Sequence, residues 1–266
     1  MTELEVIHRS PAGEPRPTPV LFIHGAWHGA WCWDEYFLPH FARCGYDTYA
    51  LSLRGHGKSG GHERLRWSSA ADYVADVEQV VQGLPAAPVI VGHSMGGFVL
   101  QKVLEKHSVP AAALLASIPP SGSIRFVLRA LRRYPLAVIK AVLTLRLYPV
   151  METAEMARHW CFSPDLPPDK VAAYHAQIGD ESFRMLLDTM LLNLPRTARV
   201  RQNGTPLLVL GAENDRIFSM AEVRSTARAY GVEAEFFPNM AHDMMLESGW
   251  QAVADRIIGW LDDQRL

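Results

Sequence analysis

Short apolar segments alternate with helical patterns along most of this 266-residue sequence. Apolar runs occupy residues 20–23, 48–51, 88–91, 111–116 and 206–210, and segments with helical spacing lie between most of them. Runs of this length without alternating polar residues are typical of strands that are covered on both faces. The pattern therefore predicts an α/β fold with a mostly parallel sheet and helices on both faces.

Further strand and helix signals flank these runs. Residues 4–8 alternate apolar and polar side chains and predict an opening strand, while residues 235–237 predict a late strand before a helix over 247–262. Ser69 with Asp72 three residues later resembles a capping box, so we expect a helix to begin there.

The strand rhythm stops at Pro119 and resumes only after residue 203. Between these points the sequence shows helical periodicity interrupted by prolines and no strand pattern. We therefore expect an α/β core made of residues 1–118 and 204–266, and an all-helical insertion over residues 119–203.

The composition excludes several classes of protein. Hydrophobic residues make up 48% and charged residues 20%, and the formal net charge of −2 lacks the basic excess typical of nucleic-acid binders. The widely separated Cys32, Cys44 and Cys161 predict neither a disulfide framework nor a zinc site. We expect no signal peptide and no membrane-spanning helix, which favours a reducing cytoplasm, and a homodimer is compatible with the sequence.

The motif GHSMG at residues 92–96 lies directly between a predicted strand and a predicted helix. A sharp turn in this position exposes the hydroxyl of Ser94, and its crowding requires glycine two residues to either side. The turn also places Ser94 at a helix N-terminus, where negative charge is stabilised. The context favours a nucleophile over a serine-capped glycine turn.

A serine nucleophile needs a base and a carboxylate that orients the base. In this architecture the acid follows a late strand and the histidine comes last. Asp215 and His242 occupy these two positions, with Glu213 as a rival acid. No carboxylate directly follows the apolar run over 111–116, which removes the other plausible location.

Acyl transfer also requires two donors for the oxygen of the tetrahedral intermediate. The Met95 N–H next to the nucleophile is the first candidate. The second is the Ala26 N–H in the loop after the run over 20–23, with Trp27 as the alternative. His24 and His28 in this loop have the spacing of metal ligands, but the intervening glycines argue against a rigid helical face.

Together these motifs resemble the α/β-hydrolase superfamily over nearly the whole chain outside 119–203. GHSMGG at 92–97 and RGHGKS at 54–59 match its nucleophile turn and its glycine-rich turn, although Ser52 stands where the family usually has Asp. The resemblance implies an eight-stranded, mostly parallel sheet with residues 119–203 as a helical cap over the site.

The loop HGAWHGAW at 24–31 is also similar to that of plant hydroxynitrile lyases and their methylesterase relatives. The lyases typically have Thr at the position of Gly25 and Lys directly after the catalytic histidine, where this chain has Asp243. These differences favour the esterase branch. Haloalkane dehalogenases and epoxide hydrolases of the same fold carry Asp as nucleophile, so Ser94 excludes both.

The insertion is expected to shape the substrate pocket. In the helix near residue 124 an apolar stripe is expected to pack on the core beneath a solvated basic face, and an alternative is that this surface attracts anionic lipid or a phosphorylated carrier such as coenzyme A. The stripe contains Ile124, Val127, Leu128 and Leu131, and the basic face contains Arg125, Arg129, Arg132 and Arg133.

Methionines are concentrated in the insertion and near the predicted site, where they predict either an adaptable apolar pocket or ordinary core. Trp27 and Met240 are the predicted substrate contacts. The full set is Met95, Met151, Met156, Met185, Met190, Met240, Met244 and Met245.

The sequence thus predicts hydrolysis of a hydrophobic carboxylic ester, or of a thioester, through an acyl-enzyme and without a metal or organic cofactor. Three alternatives remain open: an acyltransferase, a lyase or cofactor-free oxygenase on the same scaffold, and a ligand-binding receptor.

Overall fold

The apolar segments form one seven-stranded sheet in the computed structural model, which describes residues 2–266. The strand order is β1-β3-β2-β4-β5-β6-β7, with β1 antiparallel to β3 and every other neighbouring pair parallel. The strands are β1 (Val6–Arg9), β2 (Val20–Ile23), β3 (Thr48–Leu51), β4 (Val89–His93), β5 (Ala112–Leu115), β6 (Leu207–Ala212) and β7 (Ala234–Phe237).

The expectation of eight strands is wrong for the described chain, which has seven. An additional strand would have to pair with the outer edge of β1 or of β7. The segment between β1 and β2 contains four prolines, which lack the N–H that a ladder requires, and it forms bends and turns instead.

The centre of the sheet is covered on both faces. Every residue of β2 is fully buried, as is every residue of β5. Since successive side chains of a strand point to opposite faces, complete burial requires packing on each side. The helices outside the segment between β5 and β6 are α1 (Trp31–Asp34), α2 (Phe37–Arg43), α3 (Ala70–Gly83), α4 (Met95–Val103), α11 (Met220–Tyr230) and α12 (Trp250–Asp263).

The direction of the chain across the sheet reverses at β2 and β4. From β2 the chain continues to β3 on one side, whereas β4 pairs with the other side of β2. In open parallel sheets the loops that leave such a pair diverge and create a crevice at the carboxyl ends of the strands. The loops that follow β2 and β4 carry Ala26 and Ser94, so both residues lie at this crevice.

Residues 119–203 contain helices and, as far as the structure describes them, no strand; we call them the helical segment. A 3₁₀ turn over Tyr148–Met151 and a π-helical turn over Asp188–Leu192 accompany six α-helices. These are α5 (Ile124–Arg133), α6 (Pro135–Thr144), α7 (Ala154–Cys161), α8 (Pro168–His175), α9 (Phe183–Leu187) and α10 (Thr197–Asn203).

In the part of the chain that the structure covers, no helix is both long enough and apolar enough to span a bilayer. Cys32, Cys44 and Cys161 are all free thiols. The capping box expected at Ser69 and Asp72 is present at the start of α3.

Candidate active site

Ser94 occupies a strained turn between β4 and α4. Its φ of 51° and ψ of −113° lie in a region that non-glycine residues rarely adopt. A Cβ on Gly92 would lie 2.6 Å from the Gly96 carbonyl oxygen, and a Cβ on Gly96 would lie 2.5 Å from the His24 carbonyl oxygen. The backbone contacts therefore explain why glycine stands two residues before and two residues after Ser94.

The structure brings Asp215 and His242 together. His242 Nδ1 donates to Asp215 Oδ2 at 2.8 Å, which leaves Nε2 of a neutral imidazole as a proton acceptor. The other oxygen, Asp215 Oδ1, accepts from the backbone N–H groups of Ile217 and Phe218 at 2.7 and 3.0 Å. Because both oxygens are held, the carboxylate in turn holds the imidazole in one orientation.

The rival acid Glu213 differs from Asp215 in exposure and in its contacts. Glu213 precedes Asp215 by two residues but is exposed to solvent, whereas the side chains of Asp215 and His242 are both buried. The hydrogen bond to His242 is made by Asp215 alone of these two acids.

His242 lies next to the residue that precedes the serine. His93 Nε2 donates to the His242 carbonyl oxygen at 3.0 Å, and the centroids of the two rings are 4.7 Å apart. Within residues 2–266 no hydrogen bond joins Ser94 Oγ to His242 Nε2. Of the two hydrogen bonds that would link Ser94, His242 and Asp215, only the one between His242 and Asp215 is present. Hydrogen bonds of this kind commonly tighten only when substrate is bound.

Two unpaired backbone donors lie beside Ser94. Met95 is the first residue of α4, so its N–H has no acceptor within the helix. Ala26 N–H donates no backbone hydrogen bond within the described residues. Both residues line the same cavity as Ser94, as does Trp27, whose φ of 66° is strained for a bulky side chain.

The cavity next to Ser94 has a volume of about 220 Å³ and an almost entirely apolar wall. Its wall combines the loop after β2 and the start of α4 with side chains of the helical segment, among them Phe126, Ala130, Val138, Ala141 and Met185. A site of this kind favours an apolar ligand with few polar groups.

The structure separates the predicted methionines. Met95, Met185 and Met190 line the cavity. Met240 does not line it, because its side chain lies against Gly249 at the start of α12, so the structure does not place this predicted substrate contact at the site. Met244 and Met245 are fully buried core residues.

The comparisons with known proteins agree with this architecture. The sequence pattern that describes the alpha/beta hydrolase family matches residues 20–256. The chain belongs to this family.

Several known relatives of this alpha/beta hydrolase are esterases or lipases by name. It is 26% identical to a monoacylglycerol lipase of Mycolicibacterium smegmatis over 95% of this chain and 90% of that protein. It is 32% identical to Methylesterase 3 of Arabidopsis thaliana over 35% of each chain. The solved structure of a thermophilic esterase from Thermogutta terrifontis superimposes with a TM-score of 0.73 at 19% identity, covering 100% of this chain and 95% of that one.

The alpha/beta hydrolase also contains a buried ion pair behind the site that the sequence did not indicate. His28 Nε2 lies 3.1 Å from Asp243 Oδ2, and both side chains are almost completely shielded from solvent. His28 Nδ1 donates to the Ala26 carbonyl oxygen at 2.8 Å. Since Asp243 follows His242 directly, this pair connects the loop carrying the Ala26 N–H to the loop carrying the imidazole.

The charges of this pair support each other. Burial, the largest single influence, lowers the pKa of His28, but the Asp243 carboxylate, the Ala26 carbonyl and Glu181 together raise it above its ordinary value. Burial is also the largest single influence on Asp243 and raises its pKa, but His28, His93 and His242 together lower it to about 2. Both shifts favour the charged form of the pair.

Two neighbouring histidines are held neutral instead. Burial, followed by the proximity of His242, lowers the pKa of His93 to about 3. Burial, followed by the proximity of His56, lowers the pKa of His24 well below its ordinary value. His24 Nε2 accepts a hydrogen bond from the Leu53 N–H at 3.0 Å, so a proton there would break this contact.

A second buried carboxylate lies on the cavity wall. Glu181 Oε2 is 3.0 Å from His56 Nε2, and Tyr73 OH donates to Glu181 Oε1 at 2.8 Å. Glu181 belongs to the helical segment, whereas His56 and Tyr73 belong to the described residues outside 119–203, which we call the sheet region. The three side chains therefore join these two regions through buried polar contacts, which are costly to leave unpaired.

Within residues 2–266 one group of three side chains has metal-ligand spacing, namely His93, His242 and Asp243. Their ligand atoms lie within 4.8 Å of one another. The hydrogen bonds described above already engage His93 Nε2 and His242 Nδ1 within the protein. His93 and Asp243 thus form part of the polar surroundings of His242.

Proposed function

We propose that this alpha/beta hydrolase cleaves a hydrophobic carboxylic ester through an acyl-enzyme on Ser94. The observation that carries the proposal is the hydrogen bond between His242 and Asp215, which lies beside a strained serine at the end of an apolar cavity. A neutral imidazole oriented by a buried carboxylate is the base that a serine nucleophile needs.

In the proposed mechanism Ser94 Oγ attacks the ester carbonyl carbon while His242 Nε2 takes the hydroxyl proton. Asp215 stabilises the imidazolium that forms, and the N–H groups of Met95 and Ala26 bind the oxyanion. His242 then gives the proton to the leaving alcohol. Water, activated by the same imidazole, attacks the acyl-enzyme and restores Ser94.

The proposed substrate class rests on the cavity. Its wall offers apolar contacts for an acyl chain or an apolar alcohol, and Trp27 lies where it would contact the substrate. We also propose that the helical segment acts as the cap of the site, because its side chains form much of the wall. The names of the monoacylglycerol lipase and the two esterases that this chain resembles support an ester substrate.

The decisive experiment is covalent labelling combined with hydrolysis. A fluorophosphonate probe should modify Ser94, and the purified enzyme should hydrolyse p-nitrophenyl esters in a series of acyl chain lengths. Ser94→Ala should abolish labelling and lower kcat/KM by at least about a thousandfold with an unchanged circular dichroism spectrum. Ser121→Ala, which changes an exposed serine, is the matched control.

Unchanged hydrolysis by Ser94→Ala would overturn the proposal. If the probe labels Ser94 but the enzyme does not hydrolyse the esters and instead transfers their acyl groups to an added alcohol, the protein is an acyltransferase. A thioester series measured in parallel decides between oxygen and sulfur leaving groups.

A further inference from the structure

The helical segment exposes many large apolar side chains. Sequence periodicity predicts that the apolar stripe of α5 packs on the core, and the structure shows this to be wrong for Ile124, Leu128 and Leu131, which are exposed. On α6 the exposed fractions of Leu136 and Leu143 reach 80% and 79%. We call the exposed apolar side chains of this segment the apolar face: Ile124, Leu128, Leu131, Leu136, Ile139, Val142, Leu143, Leu187, Leu191 and Leu192.

Helix geometry aligns these side chains. Leu136, Ile139 and Leu143 follow the spacing i, i+3, i+7, which places them on one side of α6. Leu128 and Leu131 share one side of α5, and α5 packs against α6. A patch of this kind is rare on a monomer that has no partner, so it marks an interaction surface.

The apolar face is continuous with the cavity beside Ser94. Val142 of α6 and Leu187 of α9 are exposed, and both also line the cavity. The apolar face therefore shares side chains with the cavity wall, and a molecule held at this surface would lie close to the site.

The chain segment that carries α5 and α6 has basic residues and no acidic ones. Residues 119–150 contain no Asp and no Glu, but they contain Arg125, Arg129, Arg132, Arg133, Lys140 and Arg146. Arg129 pairs with Glu222, Lys140 with Glu152 and Arg146 with Asp180. In the described chain Arg125, Arg132 and Arg133 have no carboxylate partner and are exposed.

We propose that the apolar face docks on the surface of an anionic lipid bilayer. Exposed leucines flanked by unpaired arginines match an interface whose acyl region is apolar and whose headgroups are negative. With ten residues, α6 is too short to cross a bilayer, so it lies in the interfacial plane.

A second copy of the chain fits this surface less well than lipid does. A symmetric dimer would bring the same patch of both copies together, and with it two sets of unpaired arginines. Like charges opposed across an interface destabilise it, whereas anionic headgroups neutralise these side chains. The unpaired arginines therefore favour an anionic bilayer over a second copy of the chain.

The test is sedimentation of the Ser94→Ala protein with vesicles of phosphatidylcholine alone or mixed with about one-third phosphatidylglycerol. The serine variant prevents turnover of lipid, so binding is measured independently of the proposed ester hydrolysis. We expect binding to the mixed vesicles, and weaker binding at high salt because ions screen the arginines.

Two pairs of added substitutions locate the surface. Leu136→Gln with Leu143→Gln should weaken binding by at least about tenfold, as should Arg132→Gln with Arg133→Gln. Leu136→Met with Leu143→Met keeps the face apolar, and Arg199→Gln with Arg201→Gln removes two exposed arginines from α10, so both control pairs should bind as the parent does. In the wild-type background Leu136→Gln with Leu143→Gln should leave hydrolysis of p-nitrophenyl acetate unchanged.

Three outcomes would overturn the proposal. The first is the absence of binding to mixed vesicles, and the second is equal binding by the glutamine variants and their controls. The third is a concentration-dependent dimer that Leu136→Gln with Leu143→Gln dissociates, because a second copy would then cover the face.

Discussion

The sheet region and the helical segment differ in how completely they bury their apolar side chains. Strands β2 and β5 bury every side chain, whereas ten of the twelve exposed large apolar residues among those described lie in the helical segment. The remaining two are Val6 and Trp67. The sheet region buries its apolar side chains inside the protein, and this tight packing can hold a strained serine. The helical segment leaves apolar side chains at the surface, where molecules outside the protein can contact them.

Two ion pairs, one from each region, show a similar contrast in exposure. His28 and Asp243 are paired inside the sheet region and excluded from solvent, whereas Lys140 and Glu152 pair on the surface of the helical segment with about half of each side chain exposed. Breaking the buried pair would leave a buried charge without a partner and would be strongly destabilising. The solvated pair contributes little to the free energy of unfolding. In the proposed function, the sheet edge supplies the reacting groups and the helical segment lines the substrate pocket.

The largest expected effect tests whether the chemistry belongs to the sheet edge. Asp215→Asn should lower kcat by about a thousandfold or more, because the amide no longer holds the imidazole in the required tautomer. Ester hydrolysis under saturating substrate measures the effect, and Glu213→Gln two residues away is the control. An equal loss in both variants would contradict the assignment of the acid.

A comparison of the two ion pairs comes next. Asp243→Asn should reduce the free energy of unfolding by about 3 kcal/mol, because it leaves His28 buried without a counter-charge. Glu152→Gln should change it by less than about 1 kcal/mol, because its pair is solvated. Urea denaturation of both variants gives these values, and similar losses would remove the contrast between the regions.

The buried neutral histidines predict acid sensitivity of the sheet region. Unfolded chains bind protons at His24 and His93 below about pH 6.5, but the folded chain does not, since the pKa of each is lowered on folding. Stability should therefore fall as the pH drops, by about 2 kcal/mol for His93 between pH 6.5 and pH 5 and in the same direction for His24. The stabilisation from His28, whose pKa is raised, is lost in the other direction, as the pH rises through its folded value.

Urea denaturation of wild type and His24→Gln across this range measures the effect. The variant should lose less stability than wild type on acidification, because it no longer carries the buried neutral His24. His175→Gln in the helical segment serves as the control. A wild-type stability that stays constant from pH 6.5 to pH 5 would show that the buried histidines can accept protons in the folded protein.

The smallest expected effect concerns the choice of substrate. Ala141→Leu places a larger side chain in the cavity wall and should lower kcat/KM for a long-chain p-nitrophenyl ester by about tenfold, with hydrolysis of the acetate unchanged. Ala137→Leu makes the same change on α6 at a position outside the cavity wall. A parallel loss for short and long esters would mean that the helical segment affects the chemistry itself.

The sequence alone determined the order of strands and helices and the turn that carries Ser94. These features depend on local patterns: apolar runs of strand length, a capping box at Ser69, and glycines at 92 and 96 where a Cβ would meet backbone. The expected chain order of nucleophile, acid and base also selected Asp215 and His242, which the structure joins by a hydrogen bond.

Only the tertiary structure decided what depends on neighbours distant in sequence. Periodicity groups Leu128 and Leu131 on one side of α5, but it does not say whether that side meets the core or solvent. The same limit applies to Met240, which packs against Gly249 instead of lining the cavity, and to the ion pair of His28 with Asp243. Burial is a property of the assembled fold, because the groups that exclude water come from elements far apart along the chain.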